Sequence, residues 1–164
     1  MKKAQNSLEF LSIFAIGIAL TLIFGSFFFS ISNSEKSQLD ISQISRIGNE
    51  VISLSEEIYF RGSGNKIQYK AIFPENIQGL EIRQERTTIA NYSEIRFLII
   101  SETGNLQNIS FTPTQNYITL NCSNTCTYNS SGNFSYFNRS DFSAGPKTLS
   151  IRSIGDQVLI DFVR

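Results

Sequence analysis

The sequence predicts an α+β protein, in which a long N-terminal helix packs on a C-terminal antiparallel β-sheet or small β-sandwich. Three observations predict it. The stretch from Phe10 to Ile31 contains 22 residues without a charge, an apolar stripe at helical spacing follows it, and short alternating segments separated by turn residues fill the rest. The first half of the helix is therefore expected to be transmembrane and the second half amphipathic.

Composition excludes several function classes. The formal net charge is zero, which gives no basic field for nucleic acid. The chain contains no His, which removes the commonest general base and metal ligand. We therefore predict that the protein is not an enzyme and has no catalytic residue, metal site, cofactor or nucleic-acid partner.

The apolar run has the length of a membrane span. As a helix it would extend ~33 Å at ~1.5 Å per residue, close to a hydrocarbon core of ~30 Å. Lys2 and Lys3 precede the run, which predicts a cytoplasmic N-terminus and an outer C-terminal part. The run contains the small residues Ser12, Gly17, Thr21, Gly25, Ser26 and Ser30. They either let neighbouring helices approach closely or are tolerated gaps in a membrane span.

A cleaved secretory signal is the first alternative. Such a signal has a positive start, an apolar stretch of ~7–15 residues and a small-residue cleavage site after it, a place that Ser30-Ile31-Ser32 could fill. Two features oppose it. The apolar run is too long, and the carboxylate of Glu9 stands between the lysines and the run.

The stretch KKAQNSLEF, from Lys2 to Phe10, has a recognisable pattern of a basic pair, a small residue, and Gln-x-Ser-x-Glu followed by Phe. It resembles the class III signal peptide of archaeal type IV pilin-like proteins. The resemblance covers about the first thirty residues, and Ala4 departs from the Gly often found at that place. It implies cleavage between Ala4 and Gln5 by a prepilin peptidase. Residues 1–4 would be the discarded signal peptide and residues 5–32 the retained transmembrane or filament-core helix.

Glu9 has a physical role in this interpretation. Cleavage would create a new α-amine at Gln5, one helical turn before Glu9. A charge in apolar surroundings costs ~2.5–3.5 kcal/mol, and the amine of a neighbouring subunit would neutralise it and set the depth of docking. Ser7 would help to satisfy free N–H groups at the helix start. Alternatively, Glu9 lies solvated at the headgroup level.

Residues 33–61 are predicted to continue the helix in amphipathic form. Apolar residues spaced three and four apart form a stripe on this helix: Ile44, Ile47, Val51, Leu54 and Ile58. Either packing on the chain's own β domain or a soluble coiled coil would cover this stripe. We favour the β domain because it follows directly. Gly48 is expected to be a tolerated weakness costing about 1 kcal/mol. Gly62 and Gly64 are expected to cap the helix end in left-handed conformations.

Residues 65–164 are predicted to form the β-rich head. Residues 80–89 carry alternate charges and are expected to be an exposed or edge strand, whereas residues 94–101 are expected to be central. Gly155-Asp156 signals a hairpin, and residues 121–144 are expected to be a long surface loop. The predicted strands are 67–73, 80–89, 94–101, 109–111, 117–122, 148–154 and 157–163.

The head also carries candidate covalent sites. Cys122 and Cys126 are expected to form a disulfide outside the cell, with two reduced thiols as the alternative. The glycosylation candidates in Asn-x-Ser sequons are Asn91, Asn108, Asn129, Asn133 and Asn138. Asn121 also begins a sequon but is the poorest acceptor, because Cys122 beside it is expected to be bridged. The alternative is that a Ser- and Asn-rich composition generates the sequons by chance.

The resemblance implies a structural subunit of an archaeal type IV pilus-like surface filament, used for adhesion or surface interaction. Its expected partners are further copies of itself or related pilins, the prepilin peptidase, the pilus assembly platform and, before assembly, membrane lipid. The alternatives are a monomeric, single-span membrane-anchored surface receptor or adhesin, and a minor pilin that primes or tips a filament.

Overall fold

The structure, a computed structural model, describes residues 2–86, 91–101, 104–115, 118–123, 126–128 and 134–163. Its description of side chains leaves out residues 2–9, 30, 32–37, 85, 86, 91, 128 and 134. The predicted α+β class is confirmed, because one long helix precedes two β-sheets that are mainly antiparallel. The chain divides into two compact units, Met1–Gln38 and Leu39–Arg164.

Two helices and nine strands lie within the described residues. The helices are α1 (Lys2–Arg61) and α2 (Arg139–Phe142). The strands are β1 (Lys66–Phe73), β2 (Ile77–Arg86), β3 (Asn91–Ile100), β4 (Leu106–Phe111), β5 (Thr119–Asn121), β6 (Cys126–Tyr128), β7 (Phe134–Phe137), β8 (Gly145–Ser153) and β9 (Gln157–Phe162).

The strands form two sheets that enclose one core. The four-stranded sheet has the order β1-β8-β9-β5 and the five-stranded sheet the order β4-β3-β2-β7-β6. The ring of Phe73 on β1 lies 6.3 Å from that of Phe97 on β3, and the rings of Phe137 on β7 and Phe162 on β9 are 5.2 Å apart. These contacts join one sheet to the other, so the head is a small β-sandwich.

Within the second unit, α1 closes the sandwich along one side. Its stripe is buried in the shared core at Ile44, Ile47 and Val51, as predicted for packing on the chain's own β domain. Gln43 Nε2 donates to the Ile72 carbonyl of β1 at 2.6 Å. Gly48 lies against the ring of Phe111 on β4. Because β1 and β4 are the end strands of their sheets, this part of the helix closes the sandwich where it contacts Ile72 of β1 and Phe111, the last residue of β4.

The end of α1 also agrees with the prediction. Gly62 and Gly64 adopt φ values of 90° and 89°, which glycine tolerates without steric cost. Asn65 Nδ2 donates to the carbonyls of Arg61 and Gly62 at 2.8 and 3.0 Å, satisfying acceptors that the helix end leaves open. The chain therefore turns sharply into β1.

Two predictions about the sheet are wrong. The strand predicted to be exposed or at an edge is β2, and it is the middle strand of the five-stranded sheet. The predicted surface loop 121–144 contains β6, β7 and α2, because Phe137 and Phe142 are buried in the core. The sheets are mainly antiparallel, as predicted, and β5 pairs with β9 in parallel.

Candidate functional site

The apolar segment of α1 has no buried residue. Phe10–Phe29 has a mean hydropathy of 2.3, is long and apolar enough to cross a membrane, and is 0% buried inside the protein. Phe10 is 71% exposed and Phe28 is 77% exposed. This surface therefore requires lipid or another apolar partner in place of water.

Small residues interrupt the large apolar side chains of this surface. Gly17, Thr21 and Gly25 recur at intervals of four, and nothing lies within 4 Å of a Cβ placed on either glycine. Thr21 Oγ1 donates to the Gly17 carbonyl at 2.8 Å, and Ser26 Oγ to the Ile23 carbonyl at 2.8 Å. Each of these hydroxyls therefore satisfies its donor within its own helix, which suits an apolar environment.

The motif residues lie at the start of α1. Ala4, Gln5, Ser7 and Glu9 all belong to the helical range Lys2–Arg61, and their side chains lie outside the described residues. The pairing of Glu9 with an α-amine and the contribution of Ser7 to the helix start therefore stay predictions.

The predicted disulfide is present. Cys122 and Cys126 are bonded, with their Cα atoms 6.3 Å apart, within the usual range for a bridge. Cys122 directly follows β5 and Cys126 begins β6. Because β5 ends the four-stranded sheet and β6 ends the five-stranded sheet, the bridge joins the two sheets and not only a local loop.

The region around the disulfide is tied to β9. Ser123 donates its N–H to Asp161 Oδ1 at 3.0 Å and its hydroxyl to Asp161 Oδ2 at 2.9 Å. Asn121 Nδ2 donates to Gln157 Oε1 at 3.1 Å, and Asn121 Oδ1 accepts the Cys122 N–H at 2.8 Å. These bonds hold the bridged segment on the four-stranded sheet, at the side opposite to β1.

The sequons fall in different environments. Asn108 on β4 and Asn138 just before α2 are exposed, whereas Asn121 is partly buried and hydrogen-bonded. The side chain of Asn91 lies outside the described residues. Asn129 and Asn133 lie wholly outside them. Of the six sequons, those at Asn108 and Asn138 therefore have an asparagine that the structure describes as exposed.

Sequence reasoning missed a buried ionic cluster on the outer face of the five-stranded sheet. Arg96 on β3 makes an ion pair with Glu94 of its own strand and another with Glu81 on β2 at 3.3 Å. Burial raises the pKa of the Glu81 carboxyl, and the Arg96 guanidinium opposes that shift. The alternation of Leu80 and Ile82 with Glu81 and Arg83 was the available signal for a two-faced interior strand.

A groove within the second unit lies between α1 and β1. Burial raises the pKa of the Tyr69 phenol there, Glu50 raises it further, and Arg46 opposes the shift. Residues lining the groove include Gln43, Arg46, Glu50, Tyr69, Lys70 and Ile72. Over the described part of the chain, no group of three or more His, Cys, Asp or Glu side chains is arranged to hold a metal ion.

Comparisons with protein-family models, with curated proteins and with solved structures give no match for this chain. Its architecture combines an apolar N-terminal helix with a disulfide-bridged β-sandwich.

Proposed function

We propose that this chain is a structural subunit of an archaeal type IV pilus-like surface filament, which assembles through its apolar N-terminal helix for adhesion or surface interaction. One observation carries the proposal. The segment Phe10–Phe29 has the length of a membrane span, is 0% buried in its own chain, and begins at the last residue of the motif KKAQNSLEF.

The energetics of the apolar segment support assembly. Burying one large apolar side chain contributes about 1.5–3 kcal/mol relative to leaving it in water. Many such side chains are exposed between Phe10 and Ile31. Lipid covers them first. Helices of other copies then replace lipid, and Gly17 and Gly25 leave gaps for close approach.

Processing and orientation form the next step. A prepilin peptidase removes residues 1–4, after which the amine of Gln5 begins the mature chain. The amine of a neighbouring copy then pairs with the Glu9 carboxylate. This pairing offsets the free-energy penalty of a charge in apolar surroundings, and it forms only when the helix docks at the correct depth. Before assembly, the N-terminus lies on the cytoplasmic side of the membrane. The assembly platform then extracts the helix from the membrane into the filament.

The head forms the outside of the filament. Its Cys122–Cys126 bridge supports this placement, because disulfides persist in oxidising environments outside the cell. Exposed sequons at Asn108 and Asn138 support the same proposal, because glycosylation of such motifs occurs on exposed surfaces of proteins.

The N-terminus of the membrane-extracted protein tests the proposal. Mass spectrometry of the intact chain and of its N-terminal peptide should show a chain that starts at Gln5. A start at Met1 would favour a plain membrane anchor that is never processed. A start at Asn33 would show an ordinary secretory signal. Either result would contradict the filament subunit.

A further inference from the structure

Asn108 lies on an exposed end strand of the sandwich. Among the described strands, β4 is the last of the five-stranded sheet and pairs only with β3. Leu106, Gln107 and Asn108 are consecutive exposed residues on it. An end strand with unpaired backbone groups is a template for pairing with another chain, and natural proteins shield such strands.

The strand geometry presents the sequon Asn108-Ile109-Ser110 as a unit. Alternate residues of a strand share a face, so the Asn and Ser side chains lie together on the outer face. Asn108 and Ser110 are exposed, whereas Ile109 is partly buried against the core. The two side chains that define the acceptor motif are thus both accessible from solvent.

An apolar corner surrounds Asn108 on this face. Leu106 is 58% exposed and lies directly opposite Ile100, which is 40% exposed. The partly buried Leu98 lies opposite Asn108 itself. Apolar side chains beside an unpaired end strand favour association between copies unless something covers them.

The sequon at Asn121 provides a contrast within the same head. Its amide nitrogen already donates to Gln157, and the hydroxyl of Ser123 in the same sequon already donates to Asp161. Attaching a sugar there would disrupt contacts that hold the bridged segment. In this fold, the Asn108 sequon is therefore available for attachment of a sugar and the Asn121 sequon is not.

We propose that Asn108 carries an N-linked oligosaccharide, which covers the apolar corner of Leu98, Ile100 and Leu106 and blocks the β4 edge. The inference rests on the proposed placement of the head outside the cell. The amide nitrogen of Asn108 bonds to the anomeric carbon of a sugar. It displaces the phosphate of a lipid-linked sugar phosphate donor, which leaves with the bonding electron pair, and the amide loses one proton.

Glycopeptide mass spectrometry on the full chain, purified from its own membranes, tests the site. The peptide containing Asn108 should carry a sugar mass. That mass should be lost completely in Asn108→Gln and in Ser110→Ala, and retained in Ser110→Thr, which keeps the motif. An unmodified Asn108 in the wild-type chain overturns the proposal. The N-terminal residue of the same sample tests the filament proposal separately.

Association of the detergent-solubilised chain tests the covering role. Asn108→Gln and Ser110→Ala should both sediment as larger species than the wild type, while Ser110→Thr should not. Asn138→Gln is the matched control, because it removes an exposed sequon far along the chain from β4. Equal sedimentation of Asn108→Gln, Ser110→Ala and the wild type would show that no shielding occurs at this edge.

Discussion

Gly48 of α1 lies directly against the phenyl ring of Phe111 on β4, with no room for a Cβ atom between them. The sequence suggested a tolerated weakness at this glycine, but the structure shows a required close approach. Because β4 is an end strand, this contact lets the helix reach the five-stranded sheet while Gln43 binds β1 of the other sheet.

Gly48→Ala should destabilise the head by about 1 kcal/mol. Overpacking costs about 1–3 kcal/mol, about 2 kcal/mol at the centre of that range, and the gain in helix propensity offsets only about 1 kcal/mol of it. Chemical unfolding of the full chain in detergent measures the difference. Asn49→Ala, at the exposed neighbouring position, is the control, and Phe111→Leu should restore stability in the Gly48→Ala background. A Gly48→Ala variant as stable as the wild type would contradict the contact.

The Cys122–Cys126 bridge should stabilise the head by about 2 kcal/mol through the unfolded chain alone, even though it closes a short loop. Reduction should therefore lower the melting temperature of the wild type, and the Cys122→Ser/Cys126→Ser variant should melt at that lower temperature with or without reductant. Alkylation without reductant checks the bridge directly. Labelling of both cysteines in native protein would rule it out.

Glu81 should make stability depend on pH. Burial raises the pKa of Glu81 above its ordinary value of 4.5, so the folded state holds this proton more tightly than the unfolded state. Its contribution is fully present below pH 4.5 and is lost as pH rises through the folded pKa. Glu81→Gln should flatten this part of the melting-temperature profile, whereas Glu75→Gln, at an exposed carboxylate, should not. Identical profiles for Glu81→Gln and the wild type would exclude this origin.

Glu9→Ala should leave membrane insertion and cleavage after Ala4 intact while abolishing polymerisation. The variant lacks the carboxylate that, in the proposed filament, pairs with the α-amine of a neighbouring copy. Glu9→Asp, which keeps the charge on a shorter side chain, should retain partial assembly. The measurement is the amount of shed filament relative to processed membrane protein. Filaments at wild-type levels in Glu9→Ala would show that the proposed pairing is wrong.

Local patterns predicted the elements that depend on neighbouring residues. Helical spacing identified Ile44, Ile47 and Val51 as a buried stripe, and glycine identified the end of α1 at Gly62. The Gly155 turn between β8 and β9 was found in the same way. In each case, the residues that form the predictive pattern lie within a few positions of one another along the chain.

Contacts between distant residues explain what the sequence did not predict. The charge of Glu81 suggested an edge strand, but Arg96 across the strand pair compensates it in a middle strand. Phe137 and Phe142 fill the core from a segment whose many polar residues suggested a loop. The position of a strand within a sheet follows from such partners, which one segment alone does not reveal.

Only part of the candidate site could be predicted, because some of its features depend on distant residues or on another copy of the chain. The apolar span and the disulfide follow from composition and spacing, and the structure contains both. The proposed partner of Glu9 belongs to a second copy of the chain. The role of Asn108 depends on an end strand and on the apolar residues opposite it. Neither relationship is visible in a list of motifs.

Electron microscopy of shed surface filaments, with their subunit identified by mass spectrometry, tests the filament subunit most directly. The account predicts helical filaments that contain this chain beginning at Gln5, with apolar helices at the centre and β-sandwiches outside. A chain found only as single membrane-anchored molecules, and absent from the filaments of the same cells, would contradict it.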